Sequence, residues 1–188
     1  MIFLRQFLSR PATTGAVVQS SRFLAQTVVE NLDLHSADAV LEYGPGTGAF
    51  TGDILRELRP GAKFAAIELN PYFAEKFKAR YPLVPLFQDS VTNVQAICER
   101  AGMESVDCIV SGLPWATFSE TLQVECLDAM VRVLKPGGQF VTFCYVHSLA
   151  FAGAKRFARL LPDYFKSVSK SPIVWLNMPP AFVYRCRR

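Results

Sequence analysis

Polar residues stand at the ends of successive apolar runs, where they could meet one ligand: Glu42, Glu68, Asp89 and Ser111. The runs before them, 39–43, 63–67, 83–87 and 106–110, read as strands, and in an open parallel sheet ligands bind beyond the carboxyl ends of the strands. After Glu42 and Tyr43 the chain breaks into Gly44-Pro45-Gly46-Thr47-Gly48. It resumes at helical spacing through Phe50, Ile54, Leu55 and Leu58. Such a turn lets backbone approach a ligand with no Cβ in the way and aims free N–H groups at it. A carboxylate from Glu42 beside the ligand would repel phosphate and attract an ammonium or sulfonium group. Glu68 follows the glycines by about twenty residues, where an acid accepts hydrogen bonds from ribose hydroxyls. Asp89 could accept from an adenine amino group, with Leu69 and Val91 as apolar walls. The structural alternatives are an exposed helix-start acid for Glu68 and an N-cap for Asp89.

The elements that hold these residues follow from periodicity and punctuation. Ser20 and Ser21 cap a helix through Phe23, Leu24, Val28, Val29 and Leu32. Arg59-Pro60-Gly61 ends the helix after the glycine turn. Asn70 as N-cap and Pro71 at the first position start a helix carrying Phe73, Phe77 and Tyr81. Another helix runs to about Arg100, by the same periodicity. Ser111-Gly112-Leu113-Pro114-Trp115 follows strand four, and a helix spans 119–133. Lys135-Pro136-Gly137-Gly138 turns into a strand at 139–145. A helix at 149–160 and extended runs at 163–170 and 173–185 complete the chain. Pro179 and Pro180 mark the last run as an edge or bulged strand. Strand-helix alternation predicts an α/β fold, a mostly parallel sheet with helices on both faces.

Composition bounds the rest. The chain has 188 residues, enough for one domain spanning 1–188. Residues 1–36 are expected to be a helical lid or a membrane-interface segment. Met1–Leu8 sets Ile2, Phe3, Leu4, Phe7 and Leu8 beside Arg5, which reads equally as a packed helix and as an interfacial one. It lacks the sustained apolar region of a signal peptide. No stretch approaches the ~20 apolar residues of a membrane span. The net charge of +4 permits anionic partners and demands none. The cysteines, Cys98, Cys108, Cys126, Cys144 and Cys186, include no C-x-x-C pair, so no metal site is expected; buried thiols in a reducing compartment are.

The glycine turn with its preceding acid, E-x-G-x-G-x-G, resembles motif I of the S-adenosylmethionine-dependent methyltransferases. SGLPW after strand four resembles the N-L-P-Y motif of the ribosomal RNA adenine dimethyltransferases. In that family the asparagine binds the target base, and here its position is Gly112. The bacterial phospholipid N-methyltransferases are similar over more of the chain: RPATTGAVVQSSRFLA, EYGPGTGAFT, IELNPYFA, SGLP, VLKPGG with FVTFCY, and WLNMPPAFVYRCRR. One departure is Tyr145-Val146-His147-Ser148, where those enzymes often carry glycine and proline after the tyrosine.

That resemblance implies a Rossmann-like class I methyltransferase fold, seven-stranded with an antiparallel last strand. It also implies methylation of phosphatidylethanolamine toward phosphatidylcholine. S-adenosyl-L-methionine would be held by Gln19, Ser20, Ser21, Glu42, Tyr43, Gly44, Pro45, Gly46, Thr47, Gly48, Phe50, Glu68, Leu69, Asn70, Asp89, Ser90, Val91, Ser111, Gly112 and Leu113. The expected setting is cytoplasmic, peripheral on the inner face of the cell membrane, with membrane phospholipid as partner and nucleic acid disfavoured. The chemistry is attack of an amine nitrogen on an activated methyl, which demands positioning above all. Tyr145, His147 and Tyr184 are the catalytic candidates, the first two to take the amine's proton. Trp115, Phe118, Tyr145 and Tyr184 are candidates for an aromatic wall around the cation, and Arg185 for a lipid phosphate. Each aromatic fits core packing equally well. An RNA adenine methyltransferase, a small-molecule methyltransferase and a non-catalytic binding protein are the competing readings on this fold.

Overall fold

A strand covered on both faces needs an unbroken apolar run, and Ala39–Tyr43, the first strand (β1), is buried at every position. The computed structural model describes residues 20–188. Arg22–Val29 forms α1 ahead of β1. There follow α2 (Thr51–Glu57), β2 (Lys63–Ile67), α3 (Pro71–Arg80), β3 (Leu86–Phe87), α4 (Val94–Arg100) and β4 (Val106–Ser111). The remainder is α5 (Glu120–Val133), β5 (Leu134–Tyr145), α6 (Ala152–Tyr164), β6 (Ser167–Lys170) and β7 (Ala181–Arg187).

The strands form one sheet in the order β3-β2-β1-β4-β5-β7-β6. β1 to β5 pair in parallel, and β7 is antiparallel to both β5 and β6. The chain starts in the middle at β1, winds outward to β3, and returns to lay β4 on the other side of β1. The loops after β1 and β4 therefore diverge from adjacent strands and leave a crevice between them. Side-chain alternation fills both faces. Leu41 and Tyr43 join Ile97, Leu127, Met130 and Phe157 from α4, α5 and α6. Val40 joins Leu24 and Val28 of α1 and Ile54 of α2.

The caps follow the expected chemistry. Ser21 Oγ accepts the Leu24 N–H, Asn70 Oδ1 accepts the Tyr72 N–H, and Ser119 Oγ accepts the Leu122 N–H. Several boundaries differ from the sequence reading. β3 is only a two-residue strand, because Leu83 to Pro85 run outside the ladder. The Lys135–Gly138 turn is absorbed into β5 as a shift of register between the Val106–Leu134 and Cys108–Gln139 pairs. Residues 146–150 form a 3-10 turn, so α6 starts at Ala152 and extends to Tyr164. β7 is an inner strand: Pro179 and Pro180 precede it, so its N–H groups remain available to both neighbours.

Candidate active site

The loops at the carboxyl ends of β1, β2, β4 and β5 enclose a cavity of about 810 Å³. One end is formed by the glycine turn. Gly44 and Gly46 have φ of +60° and +58°, which L side chains rarely adopt, and over Gly46 none of the described residues beyond its chain neighbours lies within 4 Å of where a Cβ would begin. Pro45, Thr47 and Phe50 line the same end, with Ser20 beside them. Leu69, Asp89, Ser90 and Val91 close the side beyond β2 and β3.

Glu68 organises this end. Its carboxylate accepts the Gly46 N–H at 3.1 Å and the Asn70 N–H at 2.8 Å. Burial raises its pKa, and hydrogen bonds from Asn70, Gly46 and Leu69 oppose the rise. Asp89 is held by its neighbours, its Oδ1 accepting from the Ser90 N–H and the Asn93 amide. Ser90, not Asp89, caps the following turn through Thr92. Gly112 locks the two central loops together: its N–H donates to the Tyr43 carbonyl at 2.8 Å. A Cβ at Gly112 would stand 2.5 Å from the Gly44 carbonyl oxygen. Leu113 packs over Gly44 and lines the cavity.

The other end is aromatic. Trp115 stacks on Phe157 at 4.6 Å and meets Phe118 at 5.7 Å. Its indole N–H donates to Ser111 Oγ at 3.0 Å. Tyr184 meets Phe157 edge-on, and Phe143 meets Phe50 and Tyr145 the same way. Tyr145 stacks against His147, which reaches Phe151. All of these line the cavity except Ser111. The Tyr184 hydroxyl is buried with no hydrogen-bond partner among the described residues, and burial pushes its pKa up to about 12. The charged lining side chains among the described residues are Glu68 and Asp89, both at the glycine end.

Several expected site residues lie elsewhere. Glu42 is not at the cavity wall: it shares the β1 face of Val40 and points beneath the turn toward α2. There Thr51 Oγ1 donates to its Oε2 at 2.6 Å, and burial pushes its pKa up to about 8. Tyr43 faces the opposite core, and only its carbonyl serves the site. Gly48 is covered by the Tyr81 ring. Asn70 caps α3 and supports Glu68 from behind. Ser111 acts through Trp115, and Ser21 caps α1 while its N–H donates to Asn177. Arg185 is not available to a lipid phosphate here. It points to the α1 side of β7 and donates to the Thr27 and Glu30 carbonyls and the Glu30 carboxylate. Gln19 and the Met1–Leu8 segment lie outside the described residues.

Sequence reasoning missed Phe143, Phe151 and Phe157 as cavity residues. The signal was present for Phe143, two positions before Tyr145 on the same side of a strand. Phe157 reaches the cavity only because α6 crosses the loop after β4, where Gln123 bridges the Trp115 and Gly153 carbonyls.

The fold and the cavity at the strand ends define a nucleotide-cofactor enzyme of the doubly wound type. Residues 41–142 match the family model described as a methyltransferase domain, and the chain belongs to that family. It is 30% identical to the ornithine lipid N-methyltransferase of Singulisphaera acidiphila, over 99% of this chain and 94% of that protein. It is also 30% identical to ribosomal RNA small subunit methyltransferase A of Chlorobium phaeobacteroides, over 65% of this chain and 54% of that protein. The chain thus spans about half of the latter. Among solved structures, a Bacillus cereus O-methyltransferase in complex with S-adenosylhomocysteine superposes with TM-score 0.67. At 15% identity, with 100% of this chain and 88% of that one covered, it shows the shared fold.

The cofactor of this enzyme class is S-adenosylmethionine, and the residues present fit it. The open space above Gly46 admits a ligand against backbone, and the carboxylates of Glu68 and Asp89 lie at that same end. No helix among the described residues is long and apolar enough to cross a membrane.

Proposed function

We propose that the chain methylates the primary amine of a membrane lipid, with phosphatidylethanolamine as the acceptor. The observation that carries this is the division of the cavity. Among the described residues its carboxylates are confined to the glycine end, and its other end is aromatic and carries no carboxylate, lysine or arginine. A neutral wall receives an amine in its uncharged form, and aromatic faces hold the cation it becomes.

In this reading Glu68 would accept from the ribose hydroxyls, and Asp89, Leu69 and Val91 would hold the adenine. The backbone of Gly44 to Gly46 would take the remainder of the cofactor. Bound there, S-adenosylmethionine supplies an electrophilic methyl group on a sulfonium. The chain's own residues do the rest. An alkylammonium resembles lysine, with a pKa near ~10, and transfer into an apolar aromatic cavity lowers it. His147, exposed at the mouth, takes the proton toward solvent. The Tyr184 hydroxyl oxygen accepts an N–H of the neutral amine, which leaves the nitrogen lone pair free to face the methyl group. Trp115, Tyr145 and Tyr184 then surround the methylated ammonium, each face contributing roughly 0.5–2 kcal/mol.

A second acceptor, ornithine lipid, is favoured by the similarity to an ornithine lipid N-methyltransferase along almost the whole length of both chains. Ornithine, like ethanolamine, offers a primary amine. RNA fits less well. Gly112 offers no side chain for a base, and its surroundings leave no space for one.

The test is transfer of labelled methyl from S-adenosylmethionine into vesicles of phosphatidylethanolamine, vesicles containing ornithine lipid, and total RNA. Label in phosphatidylethanolamine supports the first reading, and label only in ornithine lipid selects the second. Label in RNA alone overturns both.

A further inference from the structure

The loop from β6 to β7 turns its apolar side chains outward. Trp175 is 69% exposed, Leu176 69% and Met178 74%, with Ile173 beside them. The loop's own polar groups brace it from within. The buried Asn177 amide donates to the Pro179 carbonyl at 2.7 Å, and its Oδ1 accepts the Ser21 N–H at 2.8 Å. Val174 bridges to Ala181, and Ser171 Oγ accepts the Val183 N–H. The result is a braced loop with an apolar crest.

The crest belongs to the rim of the active-site cavity. Pro179, next to Met178, lines the cavity, as does Phe151, itself 46% exposed. Leu149 extends the apolar surface beside Phe151. The surrounding charge is one-sided: from Val146 to Arg188 the sole acidic residue is Asp163. Lys155 follows Phe151 by one helical turn, and Lys170 stands over the Tyr184 and Phe182 rings.

We infer that this crest is a bilayer-docking surface: Trp175, Leu176 and Met178 enter the interfacial layer of an anionic membrane and seat the cavity mouth on it. Tryptophan and long apolar side chains favour that layer, and nearby lysines are drawn to anionic lipid. Seating the mouth there lets a headgroup enter the cavity while the acyl chains stay in the bilayer. The inference rests on the aminolipid reading for its purpose and on the exposed loop for its geometry.

The test compares the full chain with a variant carrying Trp175→Ser, Leu176→Ser and Met178→Ser, none of which lines the cavity. Both are sedimented with vesicles of phosphatidylethanolamine and phosphatidylglycerol. The variant is expected to bind roughly tenfold more weakly or worse, and to methylate a dissolved short-chain phosphatidylethanolamine at the wild-type rate. The chain has two tryptophans and Trp115 is already buried, so a vesicle-induced blue shift of emission reports Trp175. Equal sedimentation of both proteins with unmoved emission overturns the inference. So does emission already blue without vesicles, which assigns the crest to a second copy or to residues 1–19. If no lipid is methylated but the variant still loses vesicle binding, the docking surface stands and the acceptor reading falls.

Discussion

Glu68 accepts the N–H of Gly46 at 3.1 Å, tying the end of β2 to the apex of the glycine turn. This one contact holds both halves of the cofactor end in register. The Glu68→Ala variant loses the brace and an acceptor facing the cavity. A hydrogen bond to a charged group contributes about 1.5–3 kcal/mol, so S-adenosylmethionine affinity is expected to fall roughly 10- to 100-fold. Calorimetric titration checks this, with Glu68→Gln expected between the two. Undiminished affinity in Glu68→Ala would remove Glu68 from the cofactor site.

Gly112 gives a sharper steric expectation. Its absent Cβ would stand 2.5 Å from the Gly44 carbonyl, and backbone cannot move aside as a flexible side chain can. Gly112→Ala is expected to cost about 1–3 kcal/mol of stability and to weaken cofactor binding by distorting the glycine turn. Gly112→Asn, which restores the residue of the RNA adenine dimethyltransferase motif, should do the same without conferring RNA methylation. Denaturant melts and a methylation assay on RNA check both statements. A fully stable, RNA-active Gly112→Asn protein would contradict them.

The buried Glu42 makes a prediction about pH. Burial, followed by the nearby Glu68 charge, raises its pKa from 4.5 to about 8, against the hydrogen bond from Thr51. The folded protein therefore keeps, up to about pH 8, a proton that the unfolded chain releases in the ordinary carboxyl range near 4.5. Stability from this group is fully present below the unfolded value and is lost as pH rises through that window, by at most ~1.4 kcal/mol per pH unit. Glu68 has the same sign. Glu42→Gln keeps an acceptor for Thr51 and carries no charge, so it should flatten the slope. Melting temperatures between pH 5 and 8 (about the range where the two forms diverge) decide it. Parallel slopes for both proteins would show that Glu42 is not the group responsible.

Glu42 and Arg185 also show where sequence reasoning met its limit. The strand-helix alternation was legible because it is local: apolar runs, a glycine turn, Asn70-Pro71 and the serine caps each act within a few residues. The end of a strand can be read that way, but the direction of one side chain there needs the strand's facing pattern. Val40 and Glu42 share one face of β1, while Leu41 and Tyr43 share the other. The acid thus falls beneath the turn, toward α2. On β7, Tyr184 and Arg185 are adjacent and must diverge. Tyr184 reaches the cavity, and Arg185 secures α1. The aromatic end depends on α6 crossing the loop after β4, a meeting of distant segments that no local pattern records.

Tyr184 allows the acceptor end to be tested apart from folding. Tyr184 is 2% exposed, its ring lines the cavity, and its hydroxyl has no hydrogen-bond partner among the described residues. A buried hydroxyl without a partner stabilises nothing, so Tyr184→Phe should leave stability unchanged or raise it by about 1 kcal/mol. If the hydroxyl orients the acceptor amine, the same change should lower kcat for the first methyl transfer by roughly tenfold, about 1.4 kcal/mol. It should leave S-adenosylmethionine affinity intact, because that ligand's polar groups sit with Glu68 and Asp89. The third transfer starts from a tertiary amine, which in its neutral form has no N–H for the hydroxyl to accept, so its dependence on the hydroxyl should be weaker. Thermal melts, cofactor titration and product distributions of mono-, di- and trimethylated lipid separate these effects. Unchanged first-transfer kinetics would reduce Tyr184 to a wall of the cage, while a collapse in stability would mean that the hydroxyl has a structural partner in solution.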